Sequence, residues 1–235
     1  MNEVAQRIAD NLAAVNHRIG DAARRGGRTA GDVTLVAVTK YVGPAEVTCL
    51  VEAGCIELGE SRPQELWRKT EAIQASDLHW HLIGQLQRNK IRRTLPLVAL
   101  VHSCDSLRLL SEIDRVAAET GTEVPVLLES NVSGDTAKHG FAPADLEELL
   151  PRISELRHVA VRGLMTMASL TGDRVVARRD FVQLRELRDR LQQNCPATVS
   201  LAELSMGMSR DFEIAVEEGA TLVRVGSALF EGVPR

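Results

Sequence analysis

The sequence predicts a closed (β/α)8 TIM barrel preceded by one extra helix. Three observations lead there. Apolar strand-like runs alternate with helical patterns along the 235 residues, and eight strand candidates can be counted. Prolines stand at helix starts and glycines just past helix ends, where β/α units need punctuation. The length suits a single domain, because a barrel of this kind typically uses ~250 residues. On this reading residues 1–30 form the leading helix and 31–235 the barrel. A doubly wound open sheet shares the same alternation and stays open as the alternative.

The elements follow in order. Val4–Arg25 is an amphipathic helix pattern. The strand candidates are Thr34–Thr39, Cys55–Gly59, His79–Gly84, Ala99–Ser103, Pro125–Asn131, Ala160–Met167, Ser200–Ser205 and Thr221–Val225. Between them lie the helical stretches Ala45–Ala53, Pro63–Gln74, Ser106–Thr120, Pro143–Glu155, Arg174–Gln193 and Asp211–Glu218, with Gln87–Leu95 as a shorter candidate. Pro44, Pro63 and Pro143 sit near helix starts, where a missing N–H costs nothing. Gly121 and Gly219 follow helices as C-terminal stops.

Composition narrows the function classes. Hydrophobic residues make up 44% and charged residues 26%, as in an ordinary soluble globular protein. The formal net charge of −4 gives no basic excess for nucleic acid or an anionic membrane. Arg24-Arg25 and Arg92-Arg93 are interspersed with acids and read as solvated faces. The N-terminus lacks the apolar run of a signal peptide, and no stretch approaches the ~20 apolar residues that span a bilayer. Cys49, Cys55, Cys104 and Cys195 form no CxxC pair and read as reduced thiols in a cytoplasmic protein.

In a parallel barrel, chemistry gathers at the C-terminal ends of the strands. Strand one ends TLVAVTK, which places Lys40 after a mostly apolar run. An amine partly desolvated there is a Schiff-base nucleophile, although a lysine that snorkels to solvent has the same pattern. Strand seven runs into LSMGMSRDF, with Ser205, Gly207 and Ser209 in the turn before a helix. Strand eight runs into RVGSALF, with Gly226 and Ser227 in its turn. Small residues and hydroxyls at both turns let backbone N–H groups approach an anion, and barrels often build a phosphate site there. A Schiff-base lysine opposite a phosphate cup is what a pyridoxal phosphate protein needs.

Arg224 lies inside the apolar run Thr221–Val225. It either pairs with a carboxylate such as Glu203 or faces a cofactor's pyridine nitrogen, which would weaken the ring as an electron sink. His79 and His81 alternate on strand three and share a face. They are a possible metal pair without an evident third ligand, and one inward structural histidine is the plainer reading. Glu60 and Asn131 end strands two and five, placed to bond a ligand or to cap a turn.

The segments VAVTK, LGESRPQE, WHLIGQLQRNK, NVSGDTAKHGF, VRGLMTM and LSMGMSRDFEIAVEEGATLVRVGSALF carry a resemblance. They look like the pyridoxal phosphate homeostasis proteins, short relatives of alanine racemase with a barrel of the alanine racemase N-terminal-domain type. The match runs in order over about residues 33 to 232. It implies that Lys40 is the aldimine lysine and that Arg224 stands beside the pyridine nitrogen. Ser209, Gly226 and Ser227 match the phosphate positions, with Met208 and Ser205 as secondary candidates. Asn131 and Lys138 match motif positions of unassigned role. Ser61 stands where the family usually has Asn, and Thr39 where it often has Ser.

The resemblance also implies a protein that binds, buffers or delivers pyridoxal 5′-phosphate without turnover, with apo-enzymes as recipients. Alanine racemases draw a second proton donor, a tyrosine, from an additional domain. Here the sole tyrosine is Tyr41, next to Lys40, and the last residue, Arg235, follows soon after strand eight. Neighbouring residues at a strand end tend to diverge, which makes Tyr41 a poor donor for the opposite face. A monomer is expected. A pyridoxal phosphate enzyme such as a racemase remains one alternative, and a cofactor-free Schiff-base aldolase barrel another.

Overall fold

The computed structural model describes residues 3–73, 75, 77–135, 139–169 and 173–234. Eight parallel strands close into a barrel in sequence order, β1 pairing with β8. They are β1 (Thr34–Val38), β2 (Glu57–Glu60), β3 (His79–Leu82), β4 (Leu100–Cys104), β5 (Val124–Glu129), β6 (Val159–Met165), β7 (Glu203–Met208) and β8 (Leu222–Val225). The helices are α1 (Glu3–Arg25), α2 (Pro44–Glu52), α3 (Pro63–Ala72), α4 (Ile91–Thr94), α5 (Leu107–Ala118), α6 (Pro143–Ile153), α7 (Arg174–Gln193) and α8 (Phe212–Glu217). Closure decides against the open sheet, whose two edges would leave N–H and C=O groups unpaired.

Alternation along each strand divides the side chains between two environments. One set, including Leu58, Leu82, Val101, Leu128, Leu164 and Leu204, belongs to the main core with the helices. The other set faces the barrel interior, where Val36, Leu100, Leu127, Met165 and Leu222 form a separate apolar cluster. The leading helix packs against α2 and α8. It buries Ile8, Leu12, Val15 and Ile19, three or four residues apart on one face. Each such side chain contributes roughly 1.5–3 kcal/mol of hydrophobic burial. Arg18 to Glu213 at 2.6 Å and Arg25 to Glu217 at 2.7 Å tie its outer face to α8.

Local chemistry sets the helix starts. Pro44, Pro63 and Pro143 each occupy the first turn, as expected. Ser106 caps α5 by accepting from Leu109 N, and Asp173 caps α7 by accepting from Val175 N. The expected Gln87–Leu95 helix is broken up. Only Ile91–Thr94 is α-helical, between tight 3-10 turns at Arg88–Lys90 and Leu95–Leu97. Pro96 supplies no N–H to continue the helix.

The seventh strand departs most from expectation. It runs Glu203–Met208 rather than Ser200–Ser205, so Ser205 and Gly207 lie within the strand and not in a turn. The register with β8 slips between Ser205 and Met208. Gly207 sits there at φ 89°, and a Cβ on it would approach the Ala215 Cβ to 2.5 Å. A glycine read as a strand stop is therefore a bulge that carries the strand onward.

Candidate functional site

The C-terminal ends of the strands open into a cavity of about 540 Å³. Lys40, Met208, Ser209, Arg224, Gly226 and Ser227 all line it. The fold thus gathers six of the sequence-predicted residues from three separate loops and strands.

Lys40 lies in the turn beyond β1 and is exposed. The apolar run stops short of it, since β1 ends two residues earlier at Val38. The backbone beneath it is held firmly. Thr39 N donates to Gly59 O at 2.9 Å, and Val42 N closes a turn on Thr39 O at 3.1 Å. Thr39 O also accepts from the fully buried Lys69 Nζ at 2.7 Å. Lys69 pairs with the fully buried Glu60 at 2.5 Å. The other Glu60 oxygen accepts from Ser61 N at 2.7 Å and Arg62 N at 3.3 Å. Glu60 caps the turn and anchors Lys69, and it does not line the cavity.

Tyr41 also lines the cavity, its ring centroid 4.9 Å from Lys40 Nζ. The two side chains do not diverge, because both lie in a turn rather than on a pleated strand. The ring accordingly stands beside the amine and not across from it.

The two expected anion-binding turns touch each other. Gly226 N donates to Ser209 Oγ at 3.1 Å. A Cβ at Gly226 would lie 3.1 Å from Val38 O, so the backbone passes close under the cavity there. Met208 N donates to Asp211 Oδ1 at 2.6 Å, which fixes the bend after β7.

Arg224 is 4% exposed. Its Nη1 donates to Ser205 Oγ and its Nη2 to Thr166 O at 2.8 Å. The ion pair with Glu203 does not form, since Glu203 instead accepts from Thr221 Oγ1. Burial brings the guanidinium down to about 10, against the pull of the Glu129 and Asp211 charges. Glu129 and Asp211 line the same cavity, and burial raises both carboxyls above their ordinary range.

Several expected residues fall elsewhere. Ser205 is fully buried, lies beneath Arg224 and does not line the cavity. It follows from the late start of β7. Asn131 turns into its own loop, donating to Asp135 O at 2.7 Å and accepting from Ser133 Oγ at 3.0 Å. It too stays off the cavity wall. Lys138 lies outside the described residues. His79 and His81 share one acceptor, Glu57, at 2.7 Å each. Among the described residues no three His, Cys, Asp or Glu side chains converge as a metal site requires.

Sequence reasoning missed Glu129, His102 and Lys69. The first two carried the signal that exposed Arg224, a polar residue inside an apolar strand run, VPVLLES and ALVHS. Lys69 carried none, because a lysine on an amphipathic helix reads as solvated.

Comparisons with known proteins identify the family and the fold. The family model described as alanine racemase, N-terminal domain, matches residues 11–234. A protein of Aquifex aeolicus named pyridoxal phosphate homeostasis protein is 42% identical over 221 residues, covering 94% of this chain and 96% of that one. A crystal structure of an unknown protein from Bifidobacterium adolescentis superposes with a TM-score of 0.91 at 40% identity, covering 98% of this chain and 97% of that one. PipY of Synechococcus elongatus, solved with PLP bound, gives a TM-score of 0.84 at 37% identity, covering 95% of this chain and 99% of that one. No described helix is long and apolar enough to cross a membrane. With identity and coverage of this extent, the chain belongs to the pyridoxal phosphate homeostasis protein family, on the barrel of the alanine racemase N-terminal domain.

Proposed function

We propose that this protein binds pyridoxal 5′-phosphate in the cavity at the C-terminal mouth, anchors it through Lys40, and holds it for other proteins without catalytic turnover. One observation carries the reading. A primary amine, a buried guanidinium and a turn pair of hydroxyls and backbone amides share one cavity of about 540 Å³, within the range of cofactor sites. That donor set fits the group. Lys40 offers the amine, Ser209 and Ser227 offer hydroxyl donors and Gly226 a close backbone approach for a phosphate, and Arg224 offers N–H donors for a ring nitrogen. Met208 shapes the same wall, whereas Ser205 acts on Arg224 from below. When bound, the cofactor supplies an aldehyde carbon that a primary amine takes up with loss of water and gives back on hydrolysis.

The chain's own residues favour retention over reaction. The Arg224 guanidinium has only donors, so a ring nitrogen facing it would stay unprotonated. Tyr41 lies beside Lys40 rather than opposite it. The exposed Lys40 leaves the anchor open to water, as reversible release requires. Recipient apo-enzymes would take the released cofactor. A catalytic reading has one observation behind it. Glu129 is a buried carboxyl that retains its proton more readily than usual, in the same cavity as Lys40.

The test is an absorbance spectrum of the loaded protein before and after borohydride, with the adduct mapped by mass spectrometry. A visible band lost on reduction, with the label on Lys40 and none in Lys40→Ala, is the expected result. A labelled adduct in Lys40→Ala would sink the assignment of the anchor. Transfer of cofactor to an apo-enzyme tests delivery, and turnover of an amino acid that Glu129→Gln abolishes would establish the catalytic reading.

A further inference from the structure

A line of hydrogen bonds runs through the barrel from one mouth to the other. At the N-terminal mouth a second cavity of about 430 Å³ is lined by Glu57, His79 and His81. Glu57 Oε2 lies 2.7 Å from His81 Nε2. His81 Nδ1 lies 2.8 Å from His102 Nε2, and His102 Nδ1 lies 2.9 Å from Ser205 Oγ. Ser205 accepts from Arg224, which lines the cavity at the opposite mouth. His81, His102, Ser205 and Arg224 are all buried. They occupy a barrel interior otherwise filled by Val36, Leu100, Leu127, Met165 and Leu222. Polar groups placed in such a core cost stability unless every member finds a partner. Here each one does.

The proton count leaves few arrangements. Arg224 only donates and the Glu57 carboxylate only accepts. With both imidazoles neutral, one order satisfies every atom. Arg224 donates to Ser205, Ser205 to His102 Nδ1, His102 Nε2–H to His81 Nδ1, and His81 Nε2–H to Glu57. One additional proton from solvent gives a second order. His81 is then doubly protonated and donates from Nδ1 to His102 Nε2. The His102 proton sits on Nδ1 and is donated to Ser205 Oγ, which now accepts from both sides while its own hydrogen gives up His102 as acceptor. Only N–H and O–H bonds change, and the balance is one proton gained. His102 stays neutral in both orders. That agrees with its burial and with the neighbouring His81 and Arg224, which hold its own protonation well below the ordinary histidine range.

We propose that His81, His102 and Ser205 are positioning residues that hold Arg224 and couple the protonation of the Glu57–His81 pair at one mouth to the ring-nitrogen subsite at the other. The coupling rests on the functional reading of Arg224 above. In the doubly protonated order Ser205 shares its oxygen between two donors and no longer donates to His102, so it is a poorer acceptor and the guanidinium is held less tightly. The charged groups facing His81 are Glu57 on β2 and His79 on its own strand, with Arg162 on β6 and Glu203 on β7 lining the same mouth. Those acting on Arg224 are Glu129 and Asp211. Burial pushes the Glu57 carboxyl up, but hydrogen bonds from His81 and His79 outweigh it and hold the group below its ordinary value.

Two measurements test the proposal. The first is long-range 1H–15N correlation of the imidazoles in the cofactor-free protein across pH. Both histidines should carry the proton on Nε2 at high pH. The His102 proton should move to Nδ1 over the pH range in which His81 gains its second proton. A His102 tautomer that does not change as His81 titrates overturns the relay. The second is the visible band of the loaded protein against pH, in wild type, His81→Gln and His79→Gln. An inflection present in wild type and His79→Gln, and lost in His81→Gln, is the expected result. Superimposable titrations of wild type and His81→Gln overturn the coupling. Should the protein take up no cofactor at all, the coupling and the functional reading fall together, whereas a fixed His102 tautomer overturns the relay alone.

Discussion

Lys69→Met removes the cation of the buried pair that supports the anchor turn. The change keeps an unbranched apolar stem in place of the lysine stem. It leaves the Glu60 carboxylate fully buried without its charged partner. Glu60 keeps Ser61 N and Arg62 N on one oxygen and only a 3.3 Å contact from Thr39 Oγ1 on the other. Thr39 O loses its 2.7 Å donor as well. Breaking a buried pair from one side costs about 3–5 kcal/mol. For a chain of this length that lowers Tm by roughly 6–20 °C, at about 2–4 °C per kcal/mol. Denaturant unfolding followed by fluorescence and circular dichroism gives the loss, provided the two transitions coincide. The double variant Glu60→Gln, Lys69→Met leaves only a neutral amide and should recover half of the loss or more. Because Thr39 precedes Lys40, the single variant should also lose cofactor more readily on dialysis. A single variant within about 1 kcal/mol of wild type would refute the view that this pair sustains the turn.

Other outcomes follow from the same structure. Gly207→Ala forces a side chain into φ 89° and against Ala215 at 2.5 Å. It should cost about 2–4 kcal/mol in a thermal melt and weaken phosphate-dependent binding by displacing Met208 and Ser209. Arg224→Gln should weaken cofactor retention about 10- to 100-fold, as loss of a charged hydrogen bond does, and shift the visible band. An unchanged affinity and spectrum would make Arg224 merely structural. For Glu129 the sign is fixed by its raised folded value, set first by burial and then by Asp105. The folded carboxyl binds its proton more tightly than the unfolded one, so its ionised form opposes folding above the folded value. That penalty fades as pH falls toward the unfolded value. Glu129→Gln should therefore be more stable than wild type at neutral pH, with the advantage shrinking on acidification. A difference that does not vary with pH would contradict it.

The barrel and its ligand-facing end were legible from alternation and punctuation. Eight apolar runs separated by helix patterns pointed to the closed barrel, the pairing of β1 with β8 excluded the open sheet that shares the alternation, and prolines marked the helix starts correctly. The places of Lys40, Ser209, Gly226 and Ser227 on the cavity wall were legible because they follow strands, where a parallel barrel places its loops. The boundaries of β7 were not, because Gly207 is a stop in a local reading and a bulge in a paired one. Only the neighbouring β8 and the Ala215 side chain distinguish the two. Asn131 reads like any strand-end polar residue, and its loop alone turns it away from the cavity.

The sequence by itself determined the periodicities, and with them the fold class; its motifs carried the resemblance to the family, and the ends of its strand runs placed an amine and an arginine at the mouth. Tertiary structure decided what each polar group meets. Lys69 and Glu60 are nine residues apart and form a buried pair under Lys40. His102 reaches Ser205 across 103 positions, and Ser205 meets Arg224 on the next strand. Periodicity is a property of neighbours along the chain, set by backbone geometry that every segment shares. Partnership inside a barrel depends on closure, on strand stagger and on one bulge, and those arise only when all eight strands have paired.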